Sequence, residues 1–122
     1  MNFKGGTMGL EFKDSEACWG YGGFHYFRKH LAKLDGYDLN ELYEFYDKGY
    51  IPRTPMLPFY IHQDNEGKID WWVLKAIFPR FCELMKKLLK DKDASDYDKD
   101  NGMKLLKTIA ECIKNKKPLI FC

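Results

Sequence analysis

The stretch ACWGYGGFHYFRKHLAKLDG, residues 17–36, decides how the rest of the chain is read. Its first fourteen positions hold five aromatics, three glycines, two histidines, Arg28 and Lys29. Trp19 to Gly23 reads as a loop. From Gly23 the spacing of Phe24, Phe27, Leu31 and Leu34 puts apolar side chains on one helical stripe. His25 and Lys29 fall one turn apart on another face, with Arg28 at the border. Asp35-Gly36 ends the helix, since glycine tolerates the left-handed conformation common just past a helix end.

Working outward, Leu10-Glu11-Phe12-Lys13 alternates apolar and polar, as a short strand does. Residues 1–9, with Gly5, Gly6 and Gly9, are expected to be a flexible lead-in. Asp38 and Glu41 form a capping-box pattern that starts a second helix, with Leu39, Leu42, Tyr43 and Tyr46 on its apolar side and Gly49 at its end. YIPRTPMLP, residues 50–58, carries three prolines and reads as an extended connector. Phe59-Tyr60-Ile61 reads as a strand and residues 62–67 as a polar turn. A long helix is expected over Asp70–Lys90, with Leu74, Ile77, Phe78, Phe81, Leu84, Met85, Leu88 and Leu89 facing the core. Pro79 inside it predicts a kink or a break. Residues 90–102 read as a charged loop. A last helix over Met103–Asn115 buries Leu106, Ile109, Ala110 and Ile113, and Leu119-Ile120-Phe121 forms a terminal strand. The expected fold class is therefore α+β: a single mainly helical domain over residues 1–122, with about four helices and a few short strands.

At 122 residues the chain suits one hydrophobic core. With 45% apolar and 31% charged residues it is globular rather than disordered. Twenty basic against 18 acidic residues leave +2, too balanced for a general nucleic-acid binder, so any anion recognition is local. No apolar run approaches the length of a membrane span, and residues 1–12 lack the apolar core of a signal peptide. A cytoplasmic protein is expected. Cys18, Cys82, Cys112 and Cys122 are scattered, with no C-x-x-C pair, which predicts buried thiols rather than a zinc site or a disulfide framework.

Two clusters carry chemistry. In the first, Gly22 and Gly23 precede a helix, where glycine lets a ligand approach the backbone and the helix start offers free N–H groups and partial positive charge. Trp19 and Tyr21 offer flat faces, and His25, Arg28 and Lys29 supply donors and charge. These parts suit a nucleotide or another phosphate-bearing aromatic molecule. G-Y-G-G is neither a dinucleotide fingerprint nor a P-loop. The competing reading fills the core with Trp19, Tyr21, Phe24 and Phe27 and leaves the cations on a solvated face.

The second cluster is His62 to Asp70. Set against a calcium loop, Asp64, Glu66, Gly67 and Asp70 match positions three, five, six and nine. His62 at the first position and Val73 at the twelfth break the pattern. The competing reading is a glycine turn with Asp70 capping the long helix. A third use places His62 and Asp64 beside the first cluster. The run from Asp96 to Gly102 reads as solvated. No nucleophile elbow, H-E-x-x-H or Cys–His signature is present.

The pattern Trp19-x-Tyr21-x-Gly23-Phe24-x-x-Phe27-Arg28-x-x-Leu31-Ala32, followed by His62-x-Asp64-x-Glu66-Gly67, resembles a group of small uncharacterised proteins of bacteria and their phages. The resemblance covers residues 10–90. It implies a shared fold and a bacterial or phage setting, and by analogy an anti-defence protein that sequesters a nucleotide signal. The resulting expectation is a non-enzymatic binder without cofactor or metal. It holds a small anionic ligand through Trp19, Tyr21, Gly22, Gly23, His25, Arg28, Lys29, His62 and Asp64, and self-associates as a homo-oligomer. The alternatives are an inhibitor or adaptor that docks a host protein through aromatic and basic side chains, a divalent-cation module using Asp64, Glu66 and Asp70, and a nucleotide hydrolase dependent on His62.

Overall fold

A computed structural model describes residues 9–50, 53–62 and 67–122, and the backbone but not the side chain of Tyr21. The lead-in expected for residues 1–9, apart from Gly9, lies outside the described residues. Among those described, the order is β1 (Gly9–Glu11), β2 (Cys18–Gly20), α1 (Tyr21–Leu34), α2 (Leu39–Asp47), α3 (Leu57–Ile61), β3 (Lys68–Ile69), α4 (Trp71–Lys90), α5 (Asp96–Asn115) and β4 (Leu119–Ile120). The fold class is the expected one, mainly helical α+β with short antiparallel strands.

The strands form two ribbons. β1 pairs β2 with Leu10 opposite Trp19, and β3 pairs β4 with Ile69 opposite Leu119. A bridge between Phe12 and Phe121 joins the ribbons. Reciprocal hydrogen bonds between Glu11 and Cys122, 3.2 and 2.9 Å, extend that seam. Alternation along a strand then sorts the side chains. Phe12, Trp19 and Phe121 point inward and are buried, while Cys18 and Cys122 point outward and are exposed. Cys82 and Cys112 are half-buried, so the expectation of buried thiols is corrected at all four positions. All four are free.

Phe24, Phe27 and Leu31 of α1 are fully buried, as their spacing predicts. They meet Trp19, Phe59 and Phe121 in an aromatic cluster. Leu74, Ile77, Phe81, Leu84, Met85 and Leu88 supply the α4 side of the core. Leu89 is exposed, because the expected stripe was wider than the covered face. Pro79 does not break α4, which runs through it as one helix. Pro79 and Lys75, whose carbonyl loses its donor, are both exposed, so the missing bond falls on the solvent side of the helix. On α2, Leu39 and Leu42 are buried and Tyr46 is exposed. Asp38 Oδ1 accepts from the amides of Asn40 and Glu41 at 2.9 and 3.3 Å, which is the expected cap.

Several elements differ from expectation. Trp19–Gly23, read as a loop, is divided between β2 and the start of α1, and β3 was not expected. Residues 57–61 form a helical turn, where 59–61 read as a strand and 57–58 as the end of an extended connector. Pro58 sits in the first turn, where its missing N–H costs nothing, and that outweighs the β-preference of Phe-Tyr-Ile. α5 begins seven residues before the expected Met103, with Ser95 as N-cap accepting from the Asp98 amide at 3.0 Å. Asp96 and Asp98 in the first turn suit the positive helix end. The covered face of α5 is Asn101, Gly102, Leu105, Thr108 and Ile109, one position away from the expected stripe. Gly102 has a specific reason to be glycine. A Cβ there would lie 2.6 Å from Met85 Cε and 3.2 Å from Phe27 Cε1.

Candidate functional site

Trp19 and Arg28, central to the sequence reading, have internal partners. The Trp19 indole is 1% exposed, stacks on Phe27 at 4.6 Å, and donates through Nε1 to Asp98 Oδ1 at 3.0 Å. Arg28 is 4% exposed. Its Nη1 donates to the carbonyl oxygens of Phe59 and His62 at 3.2 and 2.6 Å, and its guanidinium lies 4.6 Å from the Phe24 ring centre. The expectation that these two groups line an open anion pocket is corrected on that ground. Arg28 instead ties the end of α3 to α1, and Trp19 ties β2 to α5.

His62 is likewise engaged. Its ring stacks on Phe121 at 4.0 Å and its Nε2–H donates to the Lys68 carbonyl at 3.1 Å. A carbonyl only accepts, so this contact sets the tautomer. Asp64 and Glu66 lie outside the described residues, as does the Tyr21 side chain. Asp70 is the N-cap residue of α4 but makes no side-chain cap bond, and pairs with Lys68 at 3.6 Å. Among the described residues no group of three His, Cys, Asp or Glu side chains stands close enough to hold a metal ion.

α1 starts at Tyr21, so Gly22 and Gly23 lie inside its first turn rather than before it, where the sequence reading places them. Gly20 is its N-cap, without a side-chain cap, and no acidic residue stands in the first turn. Gly22 and Gly23 are exposed there. His25 is half-buried, edge-on to Tyr26 at 5.9 Å.

A concavity lies further along the same helix. A cleft of about 660 Å³ opens between α1, the α1–α2 turn, the α4–α5 connection and the start of α5. That volume is within the range of small-molecule sites. Tyr26, Lys29, His30 and Lys33 of α1 form one wall. Gly36, Tyr37, Asp38 and Leu39 form the floor of the turn, and Asp93, Ser95 and Asp98 the facing wall. Gly36 adopts φ +90°, which lets the chain reverse tightly enough to bring Tyr37 and Asp38 beside α1. Tyr26 is 66% exposed. Lys29 and Lys33 are exposed and make no ion pair among the described residues. His30 Nε2–H donates to Asp91 Oδ2 at 2.8 Å, pinning the α4–α5 connection onto α1. That hydrogen bond, with a second from the Asp93 amide, holds the Asp91 carboxyl below its usual range.

Of the described residues that the sequence reading placed in a ligand site, the structure brings Lys29 into this cleft. Tyr26, His30 and Lys33 were missed, though a signal existed. Tyr26, Lys29 and Lys33 fall at i, i+3 and i+7, the face turned away from the Phe24–Phe27–Leu31 stripe. Asp93 and Ser95 come from a segment far along the chain, and only the folded hairpin of α4 and α5 places them there.

Beneath the site, the Asp35 carboxylate accepts from the hydroxyls of Thr54 at 2.6 Å and Tyr60 at 3.1 Å, with Arg80 Nε at 3.5 Å. Burial first, then the neighbouring Asp35 charge, pushes the Tyr60 phenol far above its ordinary value. This network locks the end of α1 to α3 and α4, so the cleft's helical wall stands on a fixed base.

Compared with known proteins, the chain matches no family model, no curated protein and no solved structure. No helix among the described residues is long and apolar enough to cross a membrane.

Proposed function

We propose that this chain is a non-enzymatic binding protein that holds a small ligand combining an aromatic body with a phosphate-like group, in the cleft beside α1. The observation that carries the reading is the wall on which Lys29 and Lys33 stand one turn apart, in no close ion pair among the described residues, next to the open ring of Tyr26. Two ammonium groups at that spacing suit one phosphate, and a tyrosine face suits a base or similar ring. A nucleotide-derived molecule has both parts. The resemblance to small phage proteins supplies a setting in which binding without chemistry is useful, the sequestration of a nucleotide signal.

The test is calorimetry against a panel of linear and cyclic nucleotides. The expected result is saturable heat with at least one of them, at a dissociation constant below about 100 μM. The double substitution Lys29→Ala, Lys33→Ala is expected to weaken it at least about tenfold, while the unfolding midpoint stays in place. No heat with any nucleotide overturns the reading.

A second reading rests on α2. Phe45 and Tyr46 are exposed, as is Tyr50 just beyond the helix, and the rings of Phe45 and Tyr50 meet edge to face at 5.5 Å. Such aromatics serve as anchors in protein interfaces. Specific capture of one host protein by the parent chain, lost in Tyr46→Ala, Tyr50→Ala and independent of nucleotide, would favour this reading.

A further inference from the structure

We propose that the cleft prefers ribonucleotides to deoxyribonucleotides, through Asp93. This rests on the nucleotide reading above. The cleft is bipolar, with Lys29 and Lys33 on the α1 wall and the carboxylates of Asp38, Asp93 and Asp98 on the floor and the facing wall. Two of these carboxylates are already in use. Asp38 caps α2, and Asp98 accepts the Trp19 indole. Asp93 differs: its side chain makes no hydrogen bond or ion pair among the described residues. Its backbone is nevertheless held, because its amide donates to Asp91 Oδ1 at 2.9 Å and Asp91 is fastened to His30 at 2.8 Å.

Charge then orients the ligand. A phosphate is attracted to the lysine wall and repelled by Asp93, so its anionic end lies on α1. The part that reaches the opposite wall must be neutral and must donate. A ribose diol offers two adjacent hydroxyl donors, and a carboxylate has two acceptor oxygens. Acidic side chains recognise the ribose 2′-hydroxyl in this way in dinucleotide-binding folds. A deoxyribose leaves one carboxylate oxygen without its donor. Asp93 is exposed, so water softens that loss and the preference is about tenfold rather than thousands.

Calorimetry with matched pairs decides it: AMP against dAMP, GMP against dGMP, CMP against dCMP. Matching the base removes any contribution from base contacts. The expected result is tighter binding of the ribonucleotide in the pair that binds, by about tenfold, with the ratio falling to near one in Asp93→Ala. Lys29→Ala is expected to weaken both members alike. Equal affinity of the parent chain for both members overturns the ribose assignment while leaving the nucleotide reading intact. A ratio that persists in Asp93→Ala overturns the role of that residue. Absence of binding by every member of the set, when another nucleotide of the panel binds, overturns the ribose assignment alone; absence of binding across the whole panel removes both proposals.

Discussion

The Trp19 indole donates to Asp98 across 3.0 Å, joining a short strand to the first turn of a helix nearly eighty residues later. The donor ring lies inside the aromatic cluster, while the accepting carboxylate also lines the cleft. Trp19→Phe removes the donor and leaves unfilled space beside Phe27. The expected cost is about 2–3 kcal/mol, read as a lower urea midpoint. An unchanged midpoint would contradict the interior placement of Trp19.

Gly102 and Gly22 make a paired test of packing. Gly102→Ala drives a methyl group into Met85 and Phe27, both buried. Overpacking of about 1–3 kcal/mol exceeds the gain of about 1 kcal/mol from replacing a helical glycine. Net destabilisation is expected in chemical denaturation. Gly22→Ala meets nothing within 4 Å and should be neutral or stabilise by up to about 1 kcal/mol.

Acid should loosen the clamp between His30 and Asp91. The Asp91 carboxyl is held down chiefly by the His30 hydrogen bond, so the folded state takes up its proton at lower pH than the unfolded chain. The stabilisation is present above the ordinary carboxylate value of about 4 and is lost as pH falls through the lower folded value. Asp91→Asn should therefore be less stable than the parent near pH 6, with the difference shrinking toward pH 3. A difference that stays constant across this range would exclude the linkage.

The four thiols should separate into two kinetic classes. Cys18 and Cys122 are exposed, and a neutral-pH thiol reagent should reach them first. Cys82 and Cys112 are half-buried, and burial pushes both thiols above their usual range. Cys112 also donates to the Pro118 carbonyl at 3.6 Å. Less thiolate and less access both slow reaction. Four equal rates in the native protein would contradict this arrangement.

The elements governed by local chemistry were legible before folding. Asp38 announced α2, and the Phe24–Phe27–Leu31 spacing announced the buried face of α1. What local pattern could not give was choice between competing preferences. Phe59-Tyr60-Ile61 favours a strand, yet Pro58 starts a helical turn whose end is fixed by Arg28 from another element. The acidic run from Asp96 reads as solvent-loving, and it is, on one side. Its other side carries Asn101, whose Oδ1 accepts from the Cys18 amide at 3.1 Å, a partner invisible at short range. The same limit governs the site. An aromatic beside glycines suggests a ligand surface or a core with equal force, and only the meeting of β2 with α5 assigns Trp19 to the interior.

The seam between Phe12 and Phe121 bears on how the protein is made. The two rings stand more than a hundred residues apart, and closing so large a loop carries an entropic penalty that slows folding relative to a purely local helical bundle. During translation α1 and α2 can form early, but Phe12, Phe24 and His62 lack the ring of Phe121 until it is made. A nascent chain stalled before Leu119 should therefore display an oily face that chaperones recognise, and synthesis through Phe121 should cover it.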